Sequence, residues 1–386
     1  MQKSVLKVDQ SLGGFGQRAL KLGLAGLSTV VLLGAAAHHA VAAGSAPRAQ
    51  AAESFLSTNG SDVQRAGFFA DQGLRSFSQG DRVGAAEHWQ KALLLYQAGG
   101  DRAGTGRMLE NLSVIHRFNN EADEAIALSE QAIALYKATG ILESQPSAYL
   151  NLGSAYRMAA RLEEAIASYE DGLEIYQRER DIQGERIMLS LLAQIHKDRL
   201  DYPQAIAYQQ EALMLSRKIG NVAAEAEALS ELGYAYVMND QPVQAVRVLQ
   251  SALTIYQQMG DSPEERLRQR TQTVAVLNNL GKAASLAKNY DLALASYREA
   301  LAIFQALNRV EQEAHVLMNI GQTQIEMGDE AGAISSYRQA ISLSETLRQQ
   351  TDEPMAPRVE AAYRKLAALL QQQNQNLEAQ TVLNLL

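Results

Sequence analysis

Cysteine is absent from all 386 positions of the chain. That removes disulfides, thiolate metal sites and a cysteine nucleophile together. Proline is scarce, with seven residues, and aromatic side chains make up 6% against a hydrophobic content of 47%. Such a composition suits helices packed through many small contacts and gives no argument for a sheet. A concentrated basic stripe is lacking as well. The net charge is −8, and the first 60 residues carry five basic and two acidic side chains, so the remainder lies near −11. An acidic body with dispersed bases excludes the usual electrostatic footprint of nucleic-acid binding.

Long apolar runs are confined to the amino terminus, where Lys3, Lys7, Arg18 and Lys21 precede Leu22 to Ala37, LGLAGLSTVVLLGAAA, and small residues follow through Ala46. A positive region, an apolar region and a small-residue exit describe an export signal over residues 1–43, with cleavage expected after Ala42, Ala43 or Ala51. An uncleaved membrane anchor is the competing reading, because Leu22 to Ala43 reaches the roughly 20 residues a thin span needs. Alanine, glycine and the pair His38 and His39 dilute its far half and favour cleavage. Both readings place the rest of the chain outside the cytoplasm, periplasmic, extracellular or anchored there. Residues 44–60 read as a flexible linker, and the folded array is expected from Ser61 to Leu386.

What the chain does have is an alanine at one fixed place in a repeating pattern: Ala85, Ala125, Ala165, Ala205, Ala245, Ala293, Ala333 and Ala379. Twelve residues earlier lies a second small anchor, in order Gly73, Ser113, Gly153, Ala193, Gly233, Gly281, Gly321 and Ala367. The step is 40 residues, growing to 48 before Gly281 and 46 before Ala367. A period of this size marks stacked units that each borrow a neighbour's apolar face. Two small positions per repeat predict a hairpin whose two helix backbones cross closely. Ser147 to Met158 and Leu162 to Tyr176 exemplify its two helices, with apolar residues at helical spacing.

These residues resemble the tetratricopeptide repeat family. LGSAY, AIASY and GLEIY in the third repeat and WQKALLLY from Trp89 to Tyr96 match its small-and-aromatic pattern. The 40-residue step is similar to the kinesin-light-chain-like subclass found in multi-repeat bacterial proteins. The resemblance implies an all-α fold, a right-handed α-α superhelix or solenoid of about eight helical hairpins. It leaves the ligand open.

In such a superhelix the first helix of each hairpin lines the concave side, and the helical wheel puts groove residues two before, one after and four after the first anchor. Two before it stand Asn111, Asn151, Asn279 and Asn319, where the resemblance implies amides that hold the backbone of an extended peptide; Leu191 and Glu231 depart from that pattern. One amide both donates and accepts, which suits the task. Four after the anchor come Arg117, Arg157 and Lys197, a cation per repeat that fits an acidic peptide or a carboxy terminus. Lys282, with Asn278 and Asn279, makes a second polar patch, while Glu110, Asp198, Glu231 and Glu326 lie on or beside the same face.

Two insertions interrupt the step. Ser262-Pro263-Glu264-Glu265 carries a helix start, so the first eight extra residues are expected to lengthen the sixth repeat's first helix, with Leu267, Val274 and Gly281 on the stack and Arg266, Arg268 and Arg270 projecting. Thr351 to Pro357, with two prolines, reads as a loop. His116 and His196 occupy the position of Tyr156 and Tyr236 in sister repeats and are expected to pack, and His88 and His315 have no partner at ligand spacing, so no metal site is expected. Acid pairs such as Glu163-Glu164 begin second helices, where the helix dipole favours them. GDRAGTG at Gly100 to Gly106 lacks the Gly-Lys-Ser/Thr ending of a phosphate loop and is assigned to the turn between repeats. The last ten residues, LEAQTVLNLL, end apolar, with Leu383 expected to pack and Val382, Leu385 and Leu386 left for self-association or partner docking.

These readings converge on an exported, non-enzymatic protein–protein interaction scaffold that needs no cofactor and binds an extended peptide of a partner in its groove. Two alternatives stand beside it: an oligomeric assembly factor using its outer face or apolar tail, and a cytoplasmic peptide-sensing regulator, which requires a different reading of the first 45 residues.

Overall fold

Every twenty residues the backbone enters the left-handed region, at Gly80, Gly100, Asn120, Gly140, Ala160, Arg180, Leu200, Gly220 and Asp240, and again at Lys288, Asn308 and Gly328. Few residue types favour that conformation, so a helix that meets it stops. Just past several of these turns an aspartate or asparagine takes the cap position, and its carboxylate or amide oxygen accepts from the backbone N–H three residues on: Asp81 from Gly84, Asp101 from Gly104, Asp181 from Gly184, Asn221 from Ala224. Each such cap satisfies one of the free donors at a helix start. The chain is thus cut into helices of about 17 residues by local chemistry alone.

A computed structural model describes residues 61–140, 145–259, 263–351 and 356–386, and among them it holds sixteen helices and no strand. The candidate export segment and linker, residues 1–60, lie outside the described residues. The chain divides into two compact units. The amino-terminal unit contains α1 (Asp62–Ser78), α2 (Arg82–Ala98), α3 (Arg102–Phe118), α4 (Ala122–Thr139), α5 (Gln145–Met158), α6 (Leu162–Glu179) and α7 (Ile182–Asp198). The carboxy-terminal unit contains α8 (Tyr202–Lys218), α9 (Val222–Met238), α10 (Pro242–Gln258), α11 (Pro263–Leu286), α12 (Tyr290–Ala306), α13 (Val310–Met327), α14 (Glu330–Thr351), α15 (Pro357–Gln372) and α16 (Asn376–Leu383). The boundary falls between the two helices of the fourth repeat, at Arg199 and Leu200. Within each unit every helix packs on the next one in the chain, and first helices also touch first helices of neighbouring repeats, α3 with α5, α5 with α7, α9 with α11 and α11 with α13.

All eight alanines of the repeating position are buried. The earlier small anchor serves a purpose that spacing alone does not disclose: it is a socket for the side chain four residues after the alanine. A β-carbon on Gly73 would stand 2.3 Å from Trp89 Nε1, one on Gly153 2.5 Å from Tyr169 Cε1, and one on Gly233 2.3 Å from Leu249 Cγ. Tyr297 and Tyr337 fill the same place against Gly281 and Gly321. Where the inserted residue is small, so is the demand: in the second repeat Ser113 and Ser129 replace glycine and aromatic, and their hydroxyls lie 2.7 Å apart. Close approach of the two helices therefore depends on a large side chain entering a gap left by a missing one.

The first insertion does lengthen the sixth repeat's first helix, α11, to 24 residues. Val274 is buried and Arg270 exposed, as the seven-residue spacing requires; the side chains of Arg266, Leu267 and Arg268 lie outside the described residues. Around the second insertion helix α14 runs through Thr351 and α15 begins at Pro357, so both ends of the expected loop are helical, and residues 352–355 lie outside the described residues. GDRAGTG also needs correction. Only Gly100 and Asp101 form the turn, and α3 starts at Arg102 because Asp101 caps it. Among the described residues no helix is long and apolar enough to cross a membrane.

Candidate functional site

In the amino-terminal unit the candidate residues come from the first helices α3, α5 and α7. Asn111 on α3 is half-buried, and its amide has no hydrogen-bond partner among the described residues. Asn151 on α5 is only 5% exposed, and its Oδ1 accepts from Arg117 Nη1 of α3 at 2.9 Å. Among the described residues that is the single hydrogen bond of the Arg117 guanidinium. Burial holds Arg117 below the usual arginine range; nearby Tyr169 works against that shift and the charge of Arg157 adds to it. Arg157, on α5, donates from Nε to Asp198 Oδ2 of α7 at 2.6 Å. Two guanidiniums thus meet near the buried Tyr169, whose hydroxyl lies 2.9 Å from Ser154 Oγ. One has a carboxylate and the other has a neutral amide. Lys197, beside Asp198 on α7, is half-buried.

Glu110 and Leu191 do not belong to an open face. Leu191 is part of the core. Glu110, 8% exposed, is enclosed where α3 meets α5, and the Ser147 hydroxyl stands 3.1 and 3.0 Å from its two oxygens. Burial raises its carboxyl to about 8, with Ser147, Tyr136 and Arg107 opposing the shift. It sits three residues before Ser113, one position round the helix from Asn111 and on the buried side.

In the carboxy-terminal unit α11, α13 and α15 bring together a chain of polar groups. Arg358 Nη2 of α15 donates to Asn319 Oδ1 of α13 at 2.8 Å, and Asn319 Nδ2 donates to Asn278 Oδ1 of α11 at 3.2 Å. Asn279 is half-buried, and neither it nor Lys282 has a hydrogen-bond or ion-pair partner among the described residues. Burial, then the charge of Arg358, holds Lys282 below the usual lysine range. The same two causes, in the same order, hold His315 down to about 4. Further along these helices Ser285 Oγ donates to Glu326 Oε2 at 2.7 Å and Lys365 Nζ to Gln322 Oε1 at 2.5 Å.

Arg358 is a member that recurring positions do not reveal. It lies nine residues before its anchor Ala367, where other repeats place Gln64, Gly104, Gly184, Ala224, Gln272 and Gln312. Its position beside the second insertion is the one available signal. Among the histidines, His116 Nδ1 lies 2.6 Å from Glu121 Oε2 at the following turn. Its tyrosine counterparts bridge repeats, Tyr156 donating to Glu130 and Tyr236 accepting from Gln210. At the carboxy end Leu383 packs, and so does Val382, which leaves Leu377, 85% exposed, with Leu385 and Leu386 as the apolar surface. Val382 was expected on that surface; the short helix α16 instead turns it toward the core.

The tetratricopeptide repeat profile matches residues 76–138, 184–258 and 272–346, and a second tetratricopeptide repeat profile matches 147–179. No curated protein matches the chain. Among solved structures the chain is similar to the signal transduction ATPase with numerous domains (STAND) protein with a tetratricopeptide repeat sensor from Pyrococcus horikoshii, at 16% identity and a TM-score of 0.61, over 85% of this chain and 47% of that one. It is similar also to the apo form of RapI, at 11% identity and a TM-score of 0.51, over 74% of this chain and 99% of that one. A third likeness, at 19% identity and a TM-score of 0.46, is to the kinesin light chain TPR-like repeats of Podospora anserina, over 54% of this chain and 99% of that one. With profiles covering most of the described helices, and helices paired around the sockets seen above, the chain belongs to the tetratricopeptide repeat family.

Proposed function

We propose that this protein is a non-enzymatic scaffold that holds an extended segment of a partner protein along the first helices of its repeats, seating a peptide carboxylate on Arg117. The observation that carries this reading is the Arg117 side chain itself. A half-buried arginine with one neutral acceptor among the described residues is far from satisfied, since the five donors of its guanidinium suit a carboxylate held in two parallel hydrogen bonds. Asn151 orients it, Arg157 adds charge, and Asn111, whose amide is free among the described residues, supplies a donor and an acceptor for an extended backbone. Lys197 extends the polar surface within the same unit, and Asn279, Asn319 and Lys282 offer a polar surface of their own in the carboxy-terminal unit. Residues 1–43, read as an export signal or an uncleaved anchor, support an encounter outside the cytoplasm, and fractionation with amino-terminal sequencing of the mature protein checks that.

Fluorescence anisotropy with a panel of labelled ten-residue peptides, acidic, neutral or carrying an amidated terminus, tests the proposal. Acidic peptides bind, and Arg117→Ala weakens them by roughly tenfold or more, the worth of a charge-assisted hydrogen bond. Equal binding of neutral and acidic peptides, or an Arg117→Ala protein that binds as the parent does, overturns it. A second reading rests on exposed Leu377, Leu385 and Leu386, which suit self-association. Deleting Thr381 to Leu386 lowers the mass measured by size exclusion with light scattering if that reading holds.

A further inference from the structure

One stripe of α1 is open where every later repeat is closed. Counted from the small anchor, first helices bury the residues five before, one before and two after it in all seven later repeats. In the fourth repeat these are Met188, Leu192 and Ile195, all fully buried, and Met188 Cε would stand 2.5 Å from a β-carbon on Gly172 of the preceding second helix, α6. On α1 the same positions hold Phe68 and Gln72, half-buried, and Arg75, exposed. A position eight before the anchor bridges the same seam in three repeats: Gln177 Nε2 donates to Glu185 Oε1 at 3.3 Å, Arg217 Nε to Glu225 Oε1 at 2.8 Å and Gln305 Nε2 to Glu313 Oε1 at 2.9 Å. On α1 that position is Arg65. Its Nη1 lies 3.3 Å from Asp62 Oδ1, but its Nε is sealed from solvent with no hydrogen-bond partner among the described residues. A sealed donor costs free energy unless an acceptor reaches it.

The residues directly before α1 carry the register of a second helix. Forty residues before Ala92, Leu95, Tyr96 and Gly100 of the first hairpin stand Ala52, Phe55, Leu56 and Gly60, so the small, apolar and turn positions all recur. Gly100 is the left-handed residue ahead of the capping Asp101, and Gly60 directly precedes the capping Ser61. Ser57 falls eight residues before Arg65, the spacing of the three bridges, and its hydroxyl is an acceptor. We infer that residues 47–60 of this chain cap the amino-terminal end of the array, covering the open stripe of α1 with Ala52 against Phe68. Ala52 and Phe68 are sixteen residues apart, as Gly172 and Met188 are. Joined to α1 by a single turn, the segment meets the stripe at high effective concentration, which favours it over any separate molecule. A second copy stacking end to end fits less well, because its last second helix places the large Leu386 seven residues after Ala379, where other repeats have alanine or glycine. The span that composition makes a linker therefore has a seat, and this holds whether or not Arg117 binds a carboxylate.

Since the chain has no cysteine, introduced pairs report the contact without background. In the full chain Ala52→Cys with Phe68→Cys closes an intramolecular disulfide roughly tenfold faster than Ser54→Cys with Phe68→Cys, because position 54 corresponds to Leu94, 66% exposed on α2, and points away from the seam. Equal rates for the two pairs, the behaviour of a flexible spacer, overturn the inference, and disulfides between chains overturn it in favour of a second copy. Phe55→Asp tests the same contact with Phe68 intact. It raises amide hydrogen exchange in α1 by roughly fivefold and leaves α5 as it was. Exchange in α1 that stays at the parental rate overturns the inference as well.

Discussion

The two compact units use one asparagine position in opposite ways. In the amino-terminal unit Asn151 receives Arg117 from the repeat before it; in the carboxy-terminal unit Asn319 receives Arg358 from the repeat after it. The first arrangement buries the amide almost fully and gives the neighbouring Arg157 a carboxylate in Asp198. The second leaves the amide half-buried and Lys282 without a counterion among the described residues. A repeat pattern therefore sets where an amide stands, while its partner is supplied by whichever neighbour happens to carry a long cation within reach. That makes the two faces chemically distinct although the helices presenting them are built alike.

The contrast is sharpest in pH. Glu110 in the amino-terminal unit is held up to about 8 from an ordinary 4.5, so between these values the folded chain keeps a proton that the unfolded chain has lost, and stability falls as pH rises. His315 in the carboxy-terminal unit is held down to about 4 from 6.5, so across that window the unfolded chain binds the extra proton and stability rises with pH. Glu110→Gln is expected to add roughly 2–4 kcal/mol to the amino-terminal unit above pH 8 and little at pH 4. His315→Gln is expected to flatten the acid limb of the carboxy-terminal unit by roughly 1–3 kcal/mol. Hydrogen exchange resolved by peptide, across pH-corrected urea series from pH 4 to 9, reads both units separately. Parallel pH profiles for the two units would break the comparison.

A smaller effect separates the sockets. A β-carbon on Gly153 comes within 2.5 Å of the Tyr169 ring, against 3.0 Å for Gly321 and Tyr337. Gly153→Ala is expected to destabilise by about 1–3 kcal/mol through overpacking, and Gly321→Ala by less, because its ring needs to shift only a few tenths of an ångström. Calorimetric melting of the two variants checks the order, and equal losses would mean the sockets are interchangeable. Smallest of all are the turns. Ala160 in one unit and Lys288 in the other hold left-handed backbone at φ 57° and 59°. Glycine at either is expected to stabilise by about 0.5–1 kcal/mol in urea unfolding, with similar gains in both units because the turns are local and equivalent.

Much of this architecture is legible in the residues. The period, the helical hairpin and the burial of every repeating alanine follow from small side chains at constant offsets. The lengthened α11 follows from a proline and acids at its start. Asn111, Asn151, Asn279 and Asn319 could be placed on first helices by counting. Counting did not reveal that Gly153 is a socket for Tyr169, because the inserted side chain varies among tryptophan, tyrosine, leucine and serine. Nor did it separate Glu110 from its exposed neighbours, since a rotation of one position around a helix decides burial. Arg358 has no counterpart at its position in any other repeat.

By itself the sequence determined the helices, their pairing and the turns between them, since caps, left-handed residues and apolar spacing act over a few residues of backbone. Only the tertiary structure decided which amide is gripped, which cation lacks a counterion and which carboxyl is sealed from water. Those outcomes depend on side chains about 40 residues apart meeting across neighbouring helices, where reach and burial, rather than residue type, choose the partner.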